Sequence, residues 1–425
     1  MYRLYTVCLH LLMPGVVLRL LWRSLRAPAY RRRWGERFGR DLPEVAPRGI
    51  WIHAVSVGEV QAAVPLVNRL LKAHPGLPLC VTTTTPTGSR RVTELFGEAV
   101  THVYAPYDVP RAVARFLDRV EPRLAIFMET EIWPNILRAC RTRGVHTLLA
   151  NARLSQRSAS GYARLGRFTR SVLGDLSVIA AQAQDDARRF IALGADPAAV
   201  QVTNSIKFDV RLPASVLEQG EVVQRLWGEN RPVWVAASTH EGEDEQVLEA
   251  HERVLRTVDR ALLVLVPRHP ERFDRVAQLC ERRGLEIVRR SEHRPCGPGT
   301  RVFLGDSMGE LPIFLAAADL AFVGGSLIPH GGHNVLEPAA LGVPVLFGPH
   351  MFNFAAISAL LLDAQAAVRV DTVEELGSIV ASWLTDAQER SRYGENGRRV
   401  VQQNRGALDR LMALIDALLG ERRSG

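Results

Sequence analysis

Lysine is almost missing from this sequence. Lys72 and Lys207 are the only two among 53 basic residues, so a chain that otherwise writes positive charge as guanidinium marks both positions out. Cysteine is scarce too. Cys8, Cys80, Cys140, Cys280 and Cys296 stand apart with no CxxC spacing, so neither a zinc ribbon nor a disulfide framework is indicated. A reducing, cytoplasmic setting suits that usage. The sequence also lacks a GxGxxG fingerprint, an Asp-x-Asp pair and any His/Asp cluster, so nothing in it requires a dinucleotide or a divalent metal. Short-period repeats and low-complexity tracts are absent.

What is present is a long, ordinary globular composition. At 425 residues the chain exceeds what one hydrophobic core usually supports, which predicts two domains. Its net charge of +8 favours an anionic partner: phosphate, nucleic acid or an acidic leaflet.

Residues 4–21 are strongly apolar, interrupted by His10, Pro14 and Arg19. The uninterrupted part is shorter than the ~20 residues of a spanning helix, and no small-residue cleavage site follows it. Instead come Arg19, Arg23, Arg26, Arg31, Arg32, Arg33, Arg37 and Arg40, interleaved with Trp22, Tyr30 and Trp34. Arginines directly after an apolar anchor keep the downstream body on the cytoplasmic side and suit anionic headgroups. A membrane-associated N-terminal helix is therefore expected, either spanning or lying in the interface. The alternative is an amphipathic helix packed on its own domain.

From Gly49 onward, apolar runs bounded by turns alternate with helical patterns. Strands are predicted at 50–55, 77–83, 124–128, 147–150 and 178–181, and again at 232–237, 261–266, 285–288, 302–304, 320–323 and 343–347. That rhythm implies parallel βαβ units in two successive Rossmann-like lobes, an α/β architecture with ligands at the carboxyl ends of the strands. The expected division is a membrane anchor segment at 1–27, an N-terminal lobe at 28–206 and a connection at 207–231. A C-terminal lobe at 232–400 follows, then a helix at 401–425 that could return to the first lobe.

The loops at those strand ends carry the chemistry. After the first strand comes Ser56-Val57-Gly58-Glu59, with a carboxylate where a pyrophosphate would be repelled. Glu59 is a candidate base, although a glutamate in the first turn also simply suits the helix dipole. Glu129 and Glu131 flank Thr130 just after another strand; Glu131 could equally cap the following helix. Lys207 sits where the lobes join. In the second half, 238–243 (STHEGE) has capping-box spacing, and Arg268 after Pro267 offers a guanidinium suited to phosphate. Asp306-Ser307-Met308-Gly309-Glu310 opens a further helix. Gly324-Gly325 ends a strand, and Gly331-Gly332 leads into Asn334, Val335, Leu336 and Glu337. Backbone N–H groups at such a helix start can cradle phosphate, and a carboxylate one turn in can bind ribose hydroxyls.

With these motifs in place the sequence resembles the 3-deoxy-D-manno-octulosonic acid (Kdo) transferases, the lipid A Kdo transferase family of Gram-negative bacteria. The resemblance runs nearly end to end, through 27–37 (APAYRRRWGER), 56–59 (SVGE), 85–89 (TPTGS), 128–135 (METEIWPN) and 151–155 (NARLS). It continues through 206–209 (IKFD), 238–243, 266–273 (VPRHPERF) and 331–338 (GGHNVLEP). Asn204 departs from it, where the family pattern has glycine. The resemblance implies a GT-B fold of two facing lobes and inverting transfer of Kdo from a CMP-Kdo donor to the tetraacylated lipid A precursor. It also implies Glu59 as proton acceptor, with Glu129 and Lys207 assisting. Pro267, Arg268, Met308, Gly309, Glu310, Asn334, Val335, Leu336 and Glu337 would hold the CMP portion. Neither cofactor, metal nor nucleic acid is implied; inner-membrane lipid on the cytoplasmic side is. A GT-B enzyme using a UDP-sugar on another lipid is the nearest rival. A nicotinamide dehydrogenase is opposed by the missing GxGxxG and by Glu59, and an inert scaffold would have no use for so many glycine-rich strand ends.

Overall fold

The computed structural model describes residues 1–210 and 212–420, and the chain divides into two compact units. The first comprises 1–209 with 405–425, and the second 210–404. The final helix, Ala407–Gly420, thus belongs with the N-terminal half.

In the first unit seven parallel strands form one sheet: β1 (Ile50–His53), β2 (Leu79–Thr83), β3 (Thr101–Tyr104), β4 (Leu124–Met128), β5 (His146–Ala152), β6 (Val178–Ala181) and β7 (Val200–Val202), in the order β3-β2-β1-β4-β5-β6-β7. Successive side chains of a strand face opposite ways. Ile50, Ile52, Ile126 and Leu148 therefore pack with Val60, Leu66 and Leu70 of the Val57–Ala73 helix and with Leu411 and Ile415 of the last helix. Trp51, Phe127 and Leu149 pack on the other face with Phe116, Ile136 and Phe168. Covering both faces makes the central strands apolar throughout, which is why they read as continuous runs. The Val57–Ala73 helix continues through Pro65.

The second unit repeats the plan with β8 (Val233–Thr239), β9 (Leu262–Pro267), β10 (Ile287–Arg289), β11 (Val302–Leu304), β12 (Leu320–Val323), β13 (Val345–Phe347) and β14 (Ala367–Arg369). All are parallel, ordered β10-β11-β9-β8-β12-β13-β14. Each apolar run predicted as a strand is one. Three strands escaped prediction: β3, β7 and β14. Every one of them is a sheet edge, short and with polar members (Thr101 and His102, Gln201, Arg369). In both sheets the order reverses beside the first strand, between β1 and β4 and between β8 and β12. At such a switch point the flanking loops diverge and leave a crevice at the strands' carboxyl ends.

A helix from Tyr2 to Arg26 precedes the first sheet, long and apolar enough to cross a membrane. Its opening turn is tied to the first unit. Tyr2 donates its hydroxyl to Asp175 (2.5 Å) and Tyr5 to Asp108 (2.8 Å), while Tyr2 meets Phe168 edge-on. Near its other end Leu20 and Ser24 are buried, and Arg31 donates to the Ser24 hydroxyl. Leu11, Leu12, Leu18, Trp22 and Leu25 stay exposed.

Candidate active site

The first switch point gathers Glu59, Glu129, Glu131, Arg153 and Lys207. Ser56 caps the Val57–Ala73 helix, its hydroxyl accepting the Glu59 N–H at 3.4 Å. Glu59 reaches back to accept the Val55 N–H through Oε2 at 2.7 Å. The capping geometry open to a first-turn glutamate is therefore realised. Yet burial pushes the Glu59 carboxyl up to about 7; the Val55 N–H opposes that rise, and Glu131 and Glu129 add to it. A residue serving only the helix end would sit in solvent as a settled anion. Glu59 is instead half-buried among carboxylates and poised between its two protonation states.

Glu129 follows β4 with its backbone in the left-handed region (φ 55°) and its side chain buried. Its Oε2 meets Arg153 Nε at 3.0 Å, Arg153 coming from the end of β5. Glu131 does not cap the next helix. Its Oε2 accepts the Trp133 indole N–H at 2.8 Å, and Asp108 supplies the cap through the Asn135 (3.1 Å) and Ile136 (2.7 Å) N–H groups. Glu131 also faces the buried His53 ring, 3.9 Å from Nε2; burial brings that histidine down to about 4, so it stays neutral.

Lys207 lies in the turn Ile206–Phe208 that follows β7 and packs against the Glu59 helix. Burial lowers its pKa, the charge of Glu129 opposing and that of Arg153 adding. The approach to Lys207 explains Asn204. Its φ is +64°, a conformation that glycine adopts freely and asparagine tolerates better than other residues. Asn204→Gly is expected to leave stability nearly unchanged, whereas Asn204→Ala should cost about 1–2 kcal/mol, read as a lowered thermal midpoint.

In the second unit the donor-side candidates fall into two groups. Arg268, directly after Pro267 at the end of β9, acts on Glu337, whose carboxyl is raised by burial and restrained by Asn334 and by Arg268 itself. Asn334 organises its turn, donating to Glu337 Oε1 (3.0 Å) and accepting the Leu336 N–H (3.1 Å); Val335 and Leu336 are buried. Met308, Gly309 and Glu310 follow β11, on the other side of β9. Met308 is exposed, Gly309 has φ +84°, and Glu310 is paired with Arg290 at 2.8 Å.

One expectation for this unit needs correction: 238–243 does not form a capping box. The Gly324 and Gly325 N–H groups are occupied as well. Glu243, fully buried, turns its carboxylate away from its own helix and accepts the N–H groups of Gly325 (2.6 Å), Ser326 (3.0 Å) and Leu327 (3.0 Å), as well as that of His240 (3.2 Å). Thr239 bonds Asp244 instead (2.6 Å). The protein has filled this nest with its own anion. Sequence reasoning also missed Arg153 and a group of histidines at the β8 and β12 ends, because their partners lie on strands distant in sequence.

Comparison with known proteins shows the family. Residues 32–210 match the family model described as 3-deoxy-D-manno-octulosonic-acid transferase, and 235–400 match glycosyl transferases group 1. The 3-deoxy-D-manno-octulosonic acid transferase of Haemophilus influenzae is 42% identical over 98% of this chain and 98% of that protein. The one from Bordetella pertussis is 39% identical over 98% of this chain and 99% of its own. Among solved structures, a glycosyltransferase from Rickettsia africae covers 89% of this chain and 100% of its own at a TM-score of 0.54 and 12% identity, a likeness of fold alone. The two parallel sheets are those of a GT-B glycosyltransferase, and the chain belongs to the 3-deoxy-D-manno-octulosonic acid transferase family.

Proposed function

We propose that this enzyme moves Kdo from CMP-Kdo to the tetraacylated disaccharide precursor of lipid A, in lipopolysaccharide synthesis, with inversion at the anomeric carbon and Glu59 as the general base. The observation that carries the reading is Glu59 itself: a carboxylate at the first switch point, held near pKa 7 by burial among other acids. An acceptor hydroxyl is a poor nucleophile at neutral pH and must lose its proton as the new bond forms. A base whose pKa lies near the working pH does this best. Attack from the face opposite the departing nucleotide inverts the centre.

Glu129 and Lys207 assist from the same crevice. The half-buried Lys207 and the Arg153–Glu129 pair set the field in which charge moves from acceptor to leaving group. Pro267, Arg268, Met308 to Glu310 and Asn334 to Glu337 hold the CMP portion; Arg268 suits the phosphate and Glu337 a ribose hydroxyl. The enzyme works on the cytoplasmic face of the inner membrane, anchored through its first helix. Contacts of both helix ends with the first unit favour a helix lying in the interface over one that spans. Its exposed leucines then face acyl chains.

A CMP-sugar and a UDP-sugar donor are separated by thermal stabilisation. CMP-Kdo should raise the melting temperature by mass action and UDP-sugars should not. Stabilisation by UDP-sugars alone would sink the donor assignment.

A further inference from the structure

Three neighbouring strands of the second sheet each deliver histidine to one place at their carboxyl ends. His240 follows β8, His269 follows β9, and His330 and His333 stand in the loop after β12. The His240 and His333 rings lie within 7° of parallel, with their Nε2 atoms 2.7 Å apart. His330 lies against His240 at 3.8 Å between centroids and 6.2 Å from His333, and His269 meets His240 at 5.4 Å. Gly325 (φ +67°) closes in behind the pair: a Cβ there would come within 3.2 Å of the His333 ring and 3.5 Å of the His240 ring. The pair occupies the β8/β12 switch point, where the topology opens its crevice.

Arg268 and Arg272 bring positive charge to His240, and Arg268 brings it to His333 as well; the His269 and His330 rings border the pair. Carboxylates on the same elements are occupied. Glu243 holds four backbone N–H groups, Asp244 pairs with Arg272, Glu241 with Arg275, and Glu337 accepts from Asn334. Facing nitrogens at 2.7 Å share one proton, one Nε2–H donating to one bare Nε2. Burial and the neighbouring arginines bring His240 down to about 4 and His333 to about 3, so the pair is neutral at pH 7. Arginine beside neutral imidazoles suits an anion, and an anion placed there would raise the imidazoles' affinity for a proton.

Resting on the Kdo-transfer reading above, we propose that the His240–His333 pair seats the donor's phosphate, takes up a proton at Nδ1 of the ring that donates through Nε2 as that phosphate binds, and presents the resulting imidazolium Nδ1–H to the leaving nucleotide. In the transfer step the acceptor oxygen bonds to the anomeric carbon and its proton passes to Glu59. The bond from that carbon to the phosphate oxygen breaks, and its electron pair stays on the phosphate. The phosphodiester monoanion becomes a monoester dianion, and the imidazolium acquired on binding meets the new charge. Charge balances, because the proton lost by the acceptor stays on Glu59.

Calorimetric titration of the full chain with CMP and with cytidine, at pH 7.5 in buffers of different ionisation enthalpy, counts the protons. Wild type should take up about one proton per CMP and none per cytidine. The double variant His240→Gln/His333→Gln should take up none and bind CMP about 10- to 100-fold more weakly, with cytidine affinity unchanged. His333→Gln alone, at the less buried ring, gives the same readout if the double variant does not fold. CMP binding without proton uptake, wild-type CMP affinity in the variants, or equal loss of CMP and cytidine would overturn the proposal. So would CMP binding abolished by EDTA, which would make the cluster a metal site. Wild type that ignores CMP and binds UDP would instead remove the donor assignment on which the proposal rests.

Discussion

Glu59→Gln should abolish Kdo transfer, lowering turnover by about 10²- to 10⁴-fold, while nucleotide affinity stays at the wild-type value. Glutamine keeps the size of the side chain and an oxygen for the Val55 N–H, which Glu59 Oε2 now accepts at 2.7 Å, but it cannot take a proton. Loss of rate with retained fold therefore isolates the base. The pH dependence runs the same way. Burial holds the Glu59 carboxyl at about 7, so kcat/KM should fall as pH drops through that value and the base becomes protonated. Stability follows the opposite sign. A carboxyl whose pKa is raised on folding binds its proton more tightly in the folded state, so its contribution declines as pH climbs from the unfolded value toward 7. Glu59→Gln should thus be at least as heat-resistant as wild type at pH 8. A variant that melts early there would point to a structural role for the carboxylate.

Glu243→Ala should be the most damaging single change in the second unit. The buried carboxylate receives four backbone N–H groups, three of them from Gly325 to Leu327. Alanine leaves those donors in the interior without an acceptor, at a cost of about 3–5 kcal/mol. For a unit of this size that corresponds to a drop in melting temperature of roughly 10 °C. The loop from Gly324 to His333 should loosen, seen as faster amide exchange at 325–327, and nucleotide binding should weaken with it. Wild-type exchange at those amides would show that the carboxylate does not organise the loop. A phosphate entering this nest would have to displace Glu243 from the 325–327 amides.

The architecture was largely legible because both sheets are buried on both faces. Apolar runs such as 124–128 and 320–323 have no other explanation in a parallel sheet. What escaped were three of the four edges. Thr101–Tyr104, Val200–Val202 and Ala367–Arg369 each have one neighbouring strand and one open side, so they carry polar residues and lose the continuous apolar signature. At the site, Glu59, Glu129 and Lys207 could be picked out singly, from strand-end loops and from the rarity of lysine. Their convergence required β4 to pair beside β1, which local pattern does not specify. Residues that face partners distant in sequence stayed hidden for the same reason. His240 and His333 are 93 residues apart, and Glu243 reaches across 82 to 84 residues to its amides. The spacing Ser-Thr-His-Glu-Gly-Glu looked like a helix cap because a capping carboxylate and a loop-organising one share the same local sequence. Asn204 is the converse case. Its departure from the family's glycine was visible at once, and its φ of +64° supplies the reason that asparagine serves there.

The account stands or falls on the reaction itself. Purified full-length protein, incubated with the tetraacylated lipid A precursor and CMP-Kdo and followed by mass spectrometry, should yield precursor carrying one or more Kdo residues and an equivalent amount of CMP. The Glu59→Gln protein should yield at most about a hundredth of either in the same time. Unmodified precursor with the wild-type enzyme, or full product with Glu59→Gln, would contradict it.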